Sequence, residues 1–298
     1  MLHFLPGPLR AALAMLWVVV NTAFWATPIY TLAILKAVIP HQEARRRISG
    51  WLMRLAESWA AGNNGLIALL YRVEWDIQGD EGLNHEESYL VIANHQSWLD
   101  IVVLLKVFNR RIPYFKFFLK KNLFWVPLLG FAWWALDYPF MVRYTQAQIA
   151  RRPDLKGKDL ATTRKACLKF SQIPVSVMNF VEGTRFTPGK REAQKSPFSD
   201  LLRPKAAGVS FVIEAMGGCL NRILDVTIAY PCRPARLWSF LQGQIPSIKV
   251  CIHNRAIGPE LIGDYQNDPA FRERFQTWIN DVWTEKQRTL EGLAKKGL

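Results

Sequence analysis

The thirteen residues SYLVIANHQSWLD, Ser88 to Asp100, decide how the rest of the chain is read. An apolar run, Tyr89 to Ala93, stops abruptly at Asn94-His95. A short continuous apolar run without alternation fits a strand buried on both faces. The stretch SWLDIVVLLKVF behind it reads as a helix. A buried strand feeding a helix is half of an α/β unit.

The same grammar continues on both sides. From Val73 onward, VEWDIQG alternates and ends at Gly79, PYFKFFLK alternates after the first helix, and DYPFMV is a short strand. Between those two lies the apolar NLFWVPLLGFAWWAL. DLATTRKACLKF reads as helix, VSVMNFV as strand, KAAGVSFVIEAM as helix, and LDVTIAY and SIKVCIHNRAI as strands. A last helix opens at Asp268-Pro269, an N-cap followed by proline at the first helical position. Phe271, Phe275, Trp278, Ile279, Val282 and Trp283 share one face of it. The expected fold is α/β: a mostly buried mixed sheet flanked by helices, preceded by an N-terminal membrane-associated helical segment. The expected division is 1–72 for the anchor and interfacial helices and 73–298 for the α/β domain.

No charged residue interrupts the chain between Arg10 and Lys36. As a helix this run spans ~38 Å at ~1.5 Å per residue, more than the ~30 Å hydrocarbon layer of a bilayer. A signal peptide has a shorter apolar region and a small-residue cleavage site, which is not evident here. Pro28 leaves two forms open: two shorter helices dipping into one leaflet, or a single tilted span. Arg45, Arg46 and Arg47 follow directly and place the remainder on the cytoplasmic side, in a bacterium the inner membrane. ISGWLMRLAESWAAGNNGLIALLYRV reads as an amphipathic interfacial helix, broken at Gly62-Asn63-Asn64-Gly65.

Lys and Arg number 38 against 24 acidic residues, a net charge of +14. That excess suits nucleic acid, an anionic bilayer or a phosphorylated substrate. No helix-turn-helix, RNA-binding signature or basic repeat supports the first. The twelve tryptophans suit a chain that meets a membrane interface. Cys167, Cys219, Cys232 and Cys251 show no C-x-x-C spacing, so no zinc site is expected and they read as free, mostly buried thiols of a reducing compartment.

Ligands of α/β folds bind beyond the carboxyl ends of strands. Two strands here end in polar clusters. In the first, Asp100 falls in the first turn of the helix after His95. A tight turn brings its carboxylate back to the imidazole, holding one ring nitrogen protonated and leaving the other as base. The competing reading is structural: Ser97-x-x-Asp100 resembles a capping box. In the second, NFVEGTRFTPGKR stops at Glu182-Gly183-Thr184-Arg185. Gly183 permits close backbone approach, Arg185 offers a planar fork to a phosphate, and Glu182 orients Arg185 or accepts a substrate hydroxyl. The alternative is a strand-end turn with a surface salt bridge.

N-H-x-x-x-x-D at 94–100, then E-G-T-R at 182–185, in a basic chain with an apolar start, resembles the glycerolipid acyltransferase family. The 1-acylglycerol-3-phosphate, PlsC-like members are its best-known representatives. Lys120, Pro127 and Gly130 in LKKNLFWVPLLG, Arg143 in FMVRY, and PKAAGV followed by VTIAYP resemble further family blocks in order. The likeness covers roughly Asp76 to Arg255, and the wider spelling around E-G-T-R looks closest to the bacterial YihG-type branch.

The resemblance implies transfer of a fatty acyl group from acyl-CoA or acyl-carrier protein to the free hydroxyl of a lysophospholipid, first among them 1-acyl-sn-glycerol 3-phosphate, in phospholipid biosynthesis. His95 is then the general base, oriented by Asp100. Arg185, Lys120 and Arg143 hold the acceptor phosphate, and Glu182, Gly183 and Thr184 shape that pocket. It implies no metal and no cofactor beyond the acyl co-substrate. Partners are the lysophospholipid, the acyl donor and an anionic membrane surface, with no nucleic acid. The stretch YTQAQIARRPDLKGKDL is longer than in compact members and leaves the acceptor headgroup open. The alternatives are an acyltransferase for another lysolipid and a non-enzymatic lipid-binding protein.

Overall fold

A computed structural model describes residues 2–141, 151–152, 173–220, 222–231 and 235–295. Two long helices come first, α1 (Gly7–Val38) and α2 (Gln42–Leu70). Then follow β1 (Glu74–Gln78), β2 (Tyr89–Ala93), α3 (Leu99–Phe108), β3 (Phe115–Phe117) and β4 (Leu119–Lys120). A 3-10 turn, Lys121–Trp125, leads to α4 (Leu129–Ala135) and β5 (Phe140–Met141). Beyond lie β6 (Ser176–Phe180), α5 (Pro188–Ala193), α6 (Ala206–Met216), β7 (Arg222–Ala229), α7 (Leu237–Leu241), β8 (Ser247–Ala256) and α8 (Pro269–Lys295).

The strands form a six-stranded sheet in the order β1-β8-β7-β2-β6-β3, with a separate pair β4-β5. Every neighbouring pair in the larger sheet is parallel except β7 and β8, which makes the sheet mixed. β2 is central, and its five residues are all buried. Tyr89, Val91 and Ala93 join one core with α3 and the end of α2, while Leu90 and Ile92 join the other with α6 and α8. That two-sided burial is why β2 reads as a continuous apolar run. In register, Ala93 lies opposite Phe180 of β6 and Val226 of β7, so β2 and β6 end side by side while β7 runs on to Ala229.

α1 is continuous through Pro28, one of the two forms left open. Three local expectations are corrected. α2 is continuous through Gly62 to Gly65. α1 and α2 run antiparallel, with the Asn21 amide donating to the Trp59 carbonyl at 2.9 Å and to Asn63 Oδ1 at 3.0 Å. A Cβ at Gly62 would meet the Asn21 side chain at 2.8 Å. Gly62 therefore marks a close helix crossing instead of a break. PYFKFFLK is divided between the two sheets, β3 in the larger and β4 in the smaller. Cys219 is exposed and Cys251 half-buried, contrary to the expectation of mostly buried thiols. Cys167, Cys232 and the helix expected at DLATTRKACLKF lie outside the described residues.

At its N-terminus, α8 has the expected cap: Asp268 Oδ1 accepts from the amides of Ala270 and Phe271 at 2.9 and 3.0 Å. Its apolar face contains one lysine the pattern did not single out. Lys286 is fully buried, with Nζ 2.6 Å from Asp225 Oδ1 and 2.6 Å from the Val226 carbonyl. Arg255 of β8 reaches the other oxygen of Asp225 at 3.1 Å. A third core lies apart from the sheet, joining Ile29 and Ala33 of α1 and Leu52 and Ala56 of α2 to Ala135, Leu136 and Tyr138.

Removing one partner of a buried ion pair strands the other charge and costs about 3–5 kcal/mol. Arg255 still pairs with Asp225, so Lys286→Ala is expected to lower the unfolding free energy by no more than that order, and with it the denaturant midpoint. A midpoint unchanged from wild type would show that the pair does not hold α8 to the sheet.

Candidate active site

The site is built where β2, β6 and β7 end. Asn94 is fully buried, and its side-chain amide imitates a further strand residue. Nδ2 donates to the Ile228 carbonyl and Oδ1 accepts from the Ile228 amide, both at 2.9 Å. Only a group that both donates and accepts satisfies both backbone partners, so Asn fits and Asp does not. The chain leaves the sheet one residue later, at His95.

The His95 backbone is fixed on both sides. Its N–H donates to Glu182 Oε1 at 2.9 Å, and its carbonyl accepts from the Phe186 amide at 2.7 Å. The ring stacks on Phe180, with centroids 3.9 Å apart and planes 15° from parallel. Nδ1 lies 2.8 Å from Asp100 Oδ2. A carboxylate accepts, so Nδ1 carries the proton and Nε2 keeps its lone pair. Among the described residues nothing hydrogen-bonds Nε2, and the side chain is 14% exposed.

Asp100 is fully buried and four donors surround it. Besides the imidazole, Oδ2 accepts from the amides of Gln96 and Ser97 at 2.6 and 2.8 Å. Oδ1 accepts from the Tyr230 hydroxyl at 2.7 Å. Ser97 Oγ in turn accepts from the Leu99 amide at 3.0 Å. One arm of the box that the Ser97-x-x-Asp100 spacing implies is formed, from the Ser97 amide to Asp100, and its carboxylate is the one on the imidazole. Tyr230 directly follows β7, and burial together with Asp100 pushes its phenol well above the ordinary range.

Glu182 does not orient Arg185. Both of its oxygens accept from backbone amides, Oε1 from His95 and Oε2 from Leu202 at 2.9 Å. Burial pushes its carboxyl up to about 7, against the two amides, which pull it down. Gly183 needs its freedom, with φ +70° and the Lys205 ammonium 3.2 Å from where a Cβ would stand. The Lys190 ammonium donates to Thr184 Oγ1 at 2.7 Å and to the Arg185 carbonyl at 3.0 Å. The Arg185 guanidinium is exposed and lies 5.3 Å from the centre of the Trp98 ring. His95, Asp100, Glu182, Gly183, Thr184 and Arg185 therefore share one edge of the sheet.

Lys120 stands exposed in β4 of the smaller sheet, and no contact ties it to that cluster among the described residues. Arg143 lies outside the described residues. Tyr230, Lys190 and Lys205 were not among the expected site residues. Tyr230 has a legible signal, a hydroxyl at the end of the apolar run LDVTIAY, but such a tyrosine also reads as core. Among the described residues no group of three His, Cys, Asp or Glu side chains is placed to hold a metal ion.

The family model described as Acyltransferase matches residues 74–231, more than half of the chain. An uncharacterized acyltransferase of Saccharomyces cerevisiae is 26% identical, over 70% of this chain and 59% of its own length. The 2-acyl-1-lysophosphatidylinositol acyltransferase of the same yeast is 25% identical, over 74% and 66%. The 1-acyl-sn-glycerol-3-phosphate acyltransferase epsilon of Mus musculus is 23% identical, over 89% and 74%. The chain thus spans about three fifths to two thirds of the two yeast relatives. The crystal structure of the 1-acyl-sn-glycerophosphate acyltransferase PlsC from Thermotoga maritima matches with a TM-score of 0.56 at 17% identity. The match covers 97% of this chain and 98% of that one, so the fold is shared almost end to end.

An acid whose pKa is higher when folded holds its proton more tightly in the folded state. The Glu182 contribution is therefore full below pH ~4.5 and lost as pH rises to ~7, on the order of 3 kcal/mol at most. Glu182→Gln removes this titration and one accepting oxygen. The variant should be less stable overall, yet its thermal midpoint in detergent should change less with pH across that window. Equal slopes for both proteins would assign the titration to another group.

Proposed function

The chain belongs to the Acyltransferase family, and from that premise we propose that it moves a fatty acyl group from a thioester, acyl-CoA or acyl-carrier protein, to the free hydroxyl of a lysophospholipid. The observation that carries the reading is the 2.8 Å bond from His95 Nδ1 to buried Asp100, which leaves Nε2 free at the mouth of the site. Nε2 takes the acceptor's hydroxyl proton as the oxygen attacks the thioester carbonyl. The imidazolium so formed faces the Asp100 carboxylate, whose position Tyr230 and two backbone amides fix. Collapse of the tetrahedral intermediate expels the thiolate, and His95 returns the proton to it. No acyl-enzyme is required.

Arg185 is the proposed partner of the acceptor phosphate. It has no carboxylate partner among the described residues and rests on Trp98, a cation–π contact that holds the guanidinium without neutralising it. Glu182, Gly183 and Thr184 shape the turn behind it. Lys120 and Arg143 are assigned to phosphate on family resemblance alone. An apolar cavity of about 370 Å³, lined by Val18, Leu66, Val102, Leu105 and Phe240 among others, offers surroundings that suit an acyl chain.

The acceptor proposed first is 1-acyl-sn-glycerol 3-phosphate, giving phosphatidic acid. Another lysolipid is the second reading, because relatives of similar identity are named for lysophosphatidylinositol and lysocardiolipin. The proposed setting is the cytoplasmic face of a bacterial inner membrane, with α1 in the lipid. α1 is long and apolar enough to cross a membrane, and only 22% of its most apolar window is buried.

The reading is tested by incubating the full chain in vesicles with labelled acyl-CoA and a panel of lysophospholipids. His95→Ala is expected to lower turnover by about 10²–10⁴; near-normal turnover would remove His95 as the base. Arg185→Ala is expected to raise KM for a phosphorylated acceptor by about tenfold, with a smaller effect on kcat. An unchanged KM would place the phosphate elsewhere.

A further inference from the structure

The segment between β4 and β5 is built unlike the rest of the described structure. Trp125 is 80% exposed, Trp134 47% and Leu128 43%, all on one short stretch. Folding alone does not account for that. Leu128 has φ +61° and ψ −47°, and the amide of Leu129 donates to the Pro127 carbonyl at 2.7 Å across it. This is a γ-turn of the positive-φ kind, which is rare and strained, and a branched side chain is among the worst occupants of such backbone. Glycine would fit there without strain. Leu128 thus keeps a large apolar side chain 43% exposed on strained backbone.

The turn is nevertheless rigidly supported. Gly130 lies so close to the Phe124 carbonyl that a Cβ would stand 1.8 Å from that oxygen. The Tyr30 hydroxyl of α1 donates to the Leu128 carbonyl, and its ring packs edge-on against Phe131, with centroids 4.8 Å apart. Lys36 of α1 pairs with Asp137. Through these contacts and the third core, the stretch is fixed to α1, which itself exposes Trp17, Val19, Phe24 and Ile34. Exposed Lys120 and Lys121 stand directly before the stretch, with no carboxylate partner among the described residues.

We propose that residues 124–134 are a second membrane-inserting element, a wedge that enters the interfacial layer of a phospholipid bilayer beside α1, with Leu128 at its tip. Tryptophans at the margin suit the headgroup region, and the two lysines suit anionic lipid just outside it. The strain at Leu128 is then offset by what the side chain gains in lipid. The wedge gives the enzyme a second point of contact and thereby sets how the sheet edge carrying His95 faces the bilayer. The inference rests on the reading that α1 lies in the membrane.

The test uses the full chain in vesicles of phosphatidylethanolamine and phosphatidylglycerol brominated on their acyl chains. The difference between wild type and Trp125→Phe isolates the emission of Trp125, and Trp17→Phe does the same for α1. The wedge predicts that Trp125 is quenched by brominated lipid and shielded from acrylamide. Quenching by acrylamide alone would place it in water, and shielding from both would place it under protein; either result overturns the proposal. If Trp17 is quenched by lipid and Trp125 is not, only the wedge falls. If neither is, the membrane reading of α1 falls with it. Leu128→Gly gives a second readout: a thermal midpoint at or above wild type, with about tenfold slower acylation of vesicle-embedded acceptor and an unchanged rate on a dispersed short-chain acceptor. Equal effects on both acceptors would also overturn the proposal.

Discussion

One carboxylate, that of Asp100, holds the site together. It is buried with no Lys or Arg salt bridge among the described residues, and four donors satisfy it: an imidazole N–H, two backbone amides and a phenol. A buried charge is tolerable only when it is hydrogen-bonded to this degree. Three consequences follow from the one arrangement. The backbone of Gln96 and Ser97 is folded into the turn that starts α3. The imidazole is turned so that Nδ1 faces inward. The end of β7 is tied to the end of β2 through Tyr230. The capping role and the proposed catalytic role therefore need not compete, because the same oxygen serves both.

Glu182 holds the neighbouring joint in a different way. It spans the turns after β2 and before α6 through two amides, and no side-chain donor meets it among the described residues. Its task is to hold the His95 backbone, while Phe180 sets the plane of the ring and Asp100 its rotation. The sequence left Glu182 either to orient Arg185 or to accept a substrate hydroxyl. The fold separates the two residues by turning the carboxylate under the sheet edge and leaving the guanidinium outside, over Trp98.

What was legible in the chain follows from burial. β2 declares itself because both faces are apolar, and α8 because its stripe repeats at helical spacing and its N-cap is explicit. The misreadings occurred where a residue's meaning depends on a distant neighbour. Gly62 looks like a helix break until Asn21 is found against it. Lys286 was passed over because nothing in the helical stripe points to Asp225 beneath it. PYFKFFLK reads as one strand because alternation carries no information about which sheet accepts each half. Tyr230 passes for core because a hydroxyl at the end of an apolar run is silent until its acceptor is known. The pair His95 and Asp100 escaped this difficulty because they lie only five positions apart, and a tight turn is a local event.

The two acids near His95 also divide the proposed chemistry by their donors. A proton arriving at Nε2 makes the ring a cation, and the response must come from a group that touches the ring. Asp100 does so through Nδ1, at 2.8 Å. Glu182 touches only the main-chain N–H of the same residue, and burial raises its pKa to about 7. Near neutrality it therefore carries only part of a negative charge, and what it carries is directed at amides. Exchanging the two acids in function would require the ring to leave Phe180 and turn over. The stack, the Asp100 bond and the two backbone bonds of His95 all oppose that motion, so the direction in which Nε2 points is set before any substrate arrives.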